Sequence, residues 1–197
     1  VLETPQRLRL FCTPAGYGKT ALIRQCLAQS VPTPFTLQLD LAGEPLSLAG
    51  FCARIAEQLG DDPLSIDSAP ALLGWLEKRQ APCTLILDDY PAQSETELDA
   101  WIDHLLMRSP APIELWVSCR QRPAWNLPRL LLEGQLLELD CQALALSREE
   151  SDALVRLIAP DADSEALWRQ TLGWCAGLRL LLTSAGTSNA GSRLVYD

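Results

Sequence analysis

Leu8-Arg9-Leu10-Phe11-Cys12-Thr13-Pro14-Ala15-Gly16-Tyr17-Gly18-Lys19-Thr20-Ala21 is the most informative stretch of the chain. Leu8 to Cys12 is an apolar run of strand length, and a helical period opens at Gly18 and continues to Ser30. Between them lies a Gly-containing loop. Glycines let successive backbone N–H groups turn inward as a concave anion nest, and the following helix directs the positive end of its dipole at the same place. The segment Thr13 to Thr20 meets the phosphate-loop pattern G-x-x-x-x-G-K-[ST] at every fixed position but the first, where Thr13 replaces glycine. The reading assigns Pro14, Ala15, Gly16, Tyr17, Gly18, Lys19, Thr20 and Ala21 to nucleotide phosphates. Lys19 would reach the β- and γ-phosphates, and the Thr20 hydroxyl would face Mg²⁺.

The second half of such a site is a carboxylate at the end of a neighbouring parallel strand, because ligands of open α/β sheets bind at the carboxyl ends of strands. Cys83-Thr84-Leu85-Ile86-Leu87-Asp88-Asp89 supplies it. Asp88 is the expected Mg²⁺ ligand with Thr20, and Asp89 the group that orients or deprotonates an attacking water. Read alone, the pair also suits the start of a turn before Pro91. Asp61-Asp62, flanked by Gly60 and Pro63, reads as a solvated turn. A further strand, Ile113 to Ser118, ends in Cys119-Arg120-Gln121-Arg122-Pro123 and brings a guanidinium to the same sheet edge. Arg120 is the favoured phosphate-sensing side chain, since its planar fork matches phosphate oxygens; an exposed arginine after a strand is the plainer reading.

Outward from these motifs, apolar runs at Phe35 to Leu41 and Leu136 to Leu139 complete five candidate strands. Helical stretches at Leu46 to Leu59, Ala69 to Arg79 and Glu95 to Arg108 separate them. This alternation predicts an α/β domain: a mostly parallel five-stranded sheet flanked by helices, of the P-loop NTPase class. After the last strand only helices are expected. Ser147-Arg148-Glu149-Glu150 is a capping box opening a helix through Leu157, followed by helices near Ser164 to Leu172 and Ala176 to Ser184. The expected division is a nucleotide-binding core over 1–145, a helical subdomain over 146–184 and a flexible tail or linker over 185–197.

Composition narrows the function classes. In 197 residues, 48% are hydrophobic, enough for a substantial core. The formal charge of −9 disfavours direct contact with nucleic acid or an anionic membrane, both of which need a basic face. Seven cysteines with no C-x-x-C pair read as small buried hydrophobes of a reduced, cytoplasmic protein. With His104 the sole histidine, a Ser/His/Asp triad or a His-based metal site has almost no material. No transmembrane run or export signal is expected, and Val1 in place of an initiator Met suggests a fragment.

Together the motifs resemble the STAND class of signalling ATPases (AAA/STAND-like P-loop domains), and more narrowly the large ATP-binding LuxR-type (MalT-like) transcriptional regulators. Pro14 to Thr20 resembles that family's Walker A, including the tyrosine and the missing first glycine. Leu87-Asp88-Asp89-Tyr90 resembles its Walker B and Arg120-Gln121-Arg122-Pro123 its sensor-1 segment. Gly173-Trp174-Cys175-Ala176-Gly177-Leu178 resembles the start of its next helical element, with Cys175 where the family often has a proline against the adenine. The resemblance implies an ATP/ADP switch with Mg²⁺: ADP holds a resting form, inducer and ATP favour a self-associating form, and slow hydrolysis resets it. DNA binding would belong to a domain further along the polypeptide. A protein-interaction scaffold that keeps the fold but neither hydrolyses nor switches is the competing expectation.

Overall fold

The computed structural model describes residues 6–29, 35–59, 68–79, 81–93, 95–110 and 112–192, with side chains to residue 184. Asp61-Asp62 lies outside the described residues. By its contacts the chain divides into two compact units, Val1–Thr13 with Thr20–Asp140, and Pro14–Lys19 with Cys141–Asp197.

The first unit is built on five strands, β1 (Leu8–Cys12), β2 (Phe35–Asp40), β3 (Cys83–Tyr90), β4 (Ile113–Cys119) and β5 (Leu136–Leu139). They lie in the order β2-β3-β4-β1-β5, and every pairing is parallel. This is the P-loop NTPase fold the sequence predicts. Side-chain alternation sends Leu8 and Leu10, Leu85 and Leu87, and Leu115 and Val117 to one face. There they pack on α2 (Leu48–Leu59), α3 (Ala69–Lys78), α4 (Thr96–Arg108) and the short α5 (Leu127–Leu132). The other face carries Phe11, Ile86 and Trp116 against Ile23 and Cys26 of α1 (Lys19–Gln29). In α4 the buried Leu98, Trp101, Ile102, Leu105 and Leu106 recur at helical spacing, and each such aliphatic contributes about 1.5–3 kcal/mol by leaving water. Arg7 closes that helix by donating from its guanidinium to the carbonyls of Leu105, at 2.8 Å, and Ser109. Edge strand β2 has its outer backbone covered by the Gln58 amide of α2, which accepts from Gln38 N and donates to Gln38 O. That blunts an otherwise open template for strand addition.

The helical unit comprises α6 (Cys141–Leu144), α7 (Arg148–Ile158), α8 (Ser164–Thr171) and α9 (Cys175–Ser192) around Val155, Leu178 and Leu182. The expected capping box is present: Glu150 N donates to Ser147 Oγ at 3.1 Å, and Ser147 N to Glu150 Oε2 at 2.8 Å.

The structure departs from the sequence reading in four places. Strand β3 continues through Asp88 and Asp89 to Tyr90 instead of ending at Leu87. Helices α5 and α6, of six and four residues, were not expected from periodicity. Helical backbone in α9 runs to Ser192, past Ser184, where apolar periodicity fades.

Candidate functional site

In the first unit the site is assembled at the carboxyl ends of β3 and β4 and the first turn of α1. Asp88 shares a sheet face with Ile86, the face that carries α1, and this alternation brings it to Thr20. The Thr20 hydroxyl donates to Asp88 Oδ1 at 3.1 Å. Ser118, two residues beyond Trp116 and so on the same face, donates to the same oxygen. Asp88 is only 5% exposed, yet Oδ2 carries no hydrogen bond among the described residues. One carboxylate oxygen is thus fixed by protein hydroxyls and the other is left over, beside a second hard oxygen ligand on Thr20. That donor set fits Mg²⁺, which takes one or two protein oxygens and completes its octahedron with water and phosphate. Among the described residues no cluster of three or more His, Cys, Asp or Glu forms a metal site by itself.

Asp89 follows in a different environment. Between Leu87, opposite Val117, and Tyr90, opposite Cys119, β3 advances three residues while β4 advances two. The extra residue is a β-bulge, and Asp89 takes the left-handed conformation there, at φ 51°. Its N–H donates to Ser118 Oγ at 2.8 Å and, more weakly, to Asp88 Oδ1 at 3.2 Å. Its carbonyl accepts from Gly43 N at 2.8 Å. Both carboxylate oxygens are engaged by Arg120, with Nε to Oδ1 at 3.2 Å and Nη2 to Oδ2 at 3.0 Å. Arg122 is paired elsewhere, with Glu138 at 2.8 Å.

The loop from Pro14 to Lys19 is described within the helical unit. Gly16 and Gly18 take φ of +86° and +80°, a region only glycine enters without strain. Thr13 has no positive φ and extends strand pairing, donating its N–H to Cys119 O at 3.2 Å. The position where the strict pattern asks for glycine therefore makes no glycine-only demand here. The Lys19 ammonium donates to Pro14 O at 2.9 Å, bracing the loop.

Three contacts tie the loop to the helices of its unit. The Trp174 indole N–H donates to Ala15 O at 2.9 Å, Ala176 N donates to Gly16 O at 3.0 Å, and Tyr17 meets Cys141. Burial, followed by the Cys141 contact, raises the Tyr17 pKa above the ordinary phenol value. A Cβ on Gly16 would overlap Ala176 Cβ and stand 2.6 Å from Trp174 Nε1; one on Gly177 would overlap the same indole.

Of the residues expected from sequence, Thr20, Asp88, Asp89 and Arg120 lie in one connected network, and Pro14 to Lys19 form one braced loop. Ala21 is exposed on the first turn of α1 with no contact of note. Ser118, Trp174 and Ala176 escaped the sequence reading as site residues. Alternation from Trp116 could have revealed Ser118; no sequence signal links residue 174 to residue 15.

No family model matches the chain. In sequence it is 28% identical, over 207 aligned positions, to the HTH-type transcriptional regulator MalT of Serratia proteamaculans. The MalT of Yersinia enterocolitica matches to the same extent. The chain is similar to the MalT regulators. The MalT alignments cover 95% of this chain and 23% of each relative, so the chain spans about a quarter of the length of the regulators it matches. These are the regulators that the phosphate-loop and carboxylate motifs resemble. Among solved structures, a chain of Drosophila ORC bound to GC-rich DNA and Cdc6 aligns at a TM-score of 0.48 and 15% identity, over 98% of this chain and 72% of that one.

Proposed function

We propose that this chain is the ATP/ADP-binding switch region of a signal-responsive transcriptional regulator, using Mg²⁺ and hydrolysing ATP slowly. The observation that carries the reading is the hydrogen bond from Thr20, next in sequence to Lys19, to the buried Asp88 carboxylate. Lys19 would hold the β- and γ-phosphates, with the amides of the loop through Ala21 around them. Thr20 and Asp88 would hold Mg²⁺, which when bound would neutralise phosphate charge. Asp89 would orient water and Arg120 would sense the γ-phosphate.

The Arg120–Asp89 pair supports slow turnover, because it occupies both oxygens of the candidate base. It equally favours the second reading, a scaffold without ATPase activity. Self-association in the ATP form, DNA contact through another part of the polypeptide and a cytoplasmic location complete the proposal. No helix among the described residues is long and apolar enough to cross a membrane. A switch needs differential affinity: moving a population from 1:99 to 99:1 takes about 5.5 kcal/mol of preference for one form.

Calorimetric titration with ADP and ATP tests the reading. Lys19→Ala is expected to abolish binding, and Asp89→Asn to slow phosphate release while nucleotide still binds. Unchanged affinity in Lys19→Ala would refute nucleotide binding by the loop; equal phosphate release in both proteins would remove Asp89 from hydrolysis and favour the scaffold.

A further inference from the structure

We propose that Trp174 is a positioning residue of the phosphate loop, setting which way its amide groups face. The inference rests on the nucleotide reading above and adds a residue to it. In a trans peptide unit the C=O and the next N–H point in opposite directions, so holding one aims the other. No peptide bond among the described residues is cis. The Trp174 indole holds the Ala15 carbonyl, which turns the Gly16 N–H away from the indole. The Ala176 N–H holds the Gly16 carbonyl, which does the same for the Tyr17 N–H. Two consecutive loop amides are thereby directed away from the start of α9, as an anion nest requires.

The indole is itself fixed. Leu172 ends α8 in the left-handed conformation at φ 50°, and Gly173 follows at φ 80°. Trp174 N then donates to Thr171 O at 3.0 Å, and Gly173 O accepts from Leu146 N at 2.9 Å. A Cβ on Gly173 would overlap the Leu146 carbonyl, so the reversal between α8 and α9 is packed tightly against the backbone before α7. Gly16 and Gly177 each lack the Cβ that would collide with the indole. Both ends of the contact are shaped for it. The Ala176 amide belongs to the first turn of α9, where it has no intrahelical acceptor, so the Gly16 carbonyl supplies one.

The test compares three probes by calorimetry in the presence of Mg²⁺: ADP, inorganic pyrophosphate and adenosine. Trp174→Phe keeps an aromatic ring and removes the donor. Loss of one such hydrogen bond predicts that affinity for ADP and pyrophosphate falls about 3- to 10-fold, while adenosine affinity is unchanged. Ala176→Pro, tolerated in the first turn of a helix, removes the second donor and is expected to act in the same direction. It carries the test if Trp174→Phe does not fold. Unchanged ADP affinity in the variant that folds, or an equal loss for adenosine, would overturn the aiming of the loop amides from the start of α9, and with it the role of Trp174, and leave the nucleotide reading standing. Absence of ADP binding by the unaltered protein would overturn both.

Discussion

Gly16 and Gly18 share a backbone conformation but not an environment, and the difference predicts unequal effects of the same substitution. At φ +86° and +80°, alanine meets a left-handed penalty of about 1–2 kcal/mol at either position. Lower entropy of the unfolded chain returns about 0.4–1 kcal/mol. Gly18→Ala should therefore destabilise by about 1 kcal/mol, since nothing lies within 4 Å of its Cβ. At Gly16 the new Cβ would collide with Ala176 and Trp174. The chain then has two courses. Keeping the loop docked means overpacking, at about 1–3 kcal/mol. Letting it lift off forfeits the bonds to Ala15 O and Gly16 O, about 0.5–1.5 kcal/mol each. Both routes add about 1–3 kcal/mol, so Gly16→Ala should be the less stable by that margin. Urea unfolding of the two variants, followed by far-ultraviolet circular dichroism, gives the difference. Equal midpoints and slopes would refute the claim that the loop is seated against Trp174.

Two further outcomes are expected. Burial pushes the Cys83 thiol up to about 11 from an ordinary 9.0. The folded state therefore holds its proton more tightly than the unfolded state. Stability should be intact below about pH 9 and decline through about pH 11, by about 3 kcal/mol in all, and Cys83→Ala should flatten that alkaline slope in urea midpoints measured across the range. At the capping box, Ser147→Ala removes the acceptor for Glu150 N and should lower stability by about 1 kcal/mol, whereas Ser147→Gly should lower it by only a few tenths in the same assay.

Strands, most helices and the loop were legible because each rests on a local rule. Leu8–Cys12, Cys83–Leu87 and Ile113–Ser118 are near-continuous apolar runs, as strands covered on both faces must be. Helix α7 announced itself through Ser147 and Glu150. Helices α5 and α6 are too short to complete a periodic pattern, and Pro128 in the first turn of α5 reads from sequence as a breaker. The Trp174 contact with Ala15 spans 159 residues and answers to no local pattern, so it belongs to the folded structure alone. The bulge was hidden for a different reason. Sequence counts residues along one strand, whereas a bulge is a mismatch between the counts of two.

That mismatch explains why adjacent aspartates have unlike surroundings. With strict alternation, Ile86, Asp88 and Tyr90 would all face α1, and Leu87 and Asp89 would face the larger core. The extra residue breaks the sequence after Asp88. Asp88 keeps the α1 face, where Thr20 and Ser118 hold it, while Tyr90 returns to the larger core with Leu85 and Leu87. There its ring meets Trp125 edge-on at 5.2 Å, and its hydroxyl and the Trp125 indole N–H both donate to Asp99 Oδ1, at 2.9 and 2.7 Å. Asp89, the residue left over, absorbs the left-handed turn and reaches Arg120 instead of entering the core. Removing one residue from this tripeptide would set Tyr90's burial against Asp88's hydroxyl partners, because alternation could no longer satisfy both. The bulge is thus what allows a core strand to end in two carboxylates, one buried among hydroxyls and the other ion-paired with Arg120, without sending the second into the larger core.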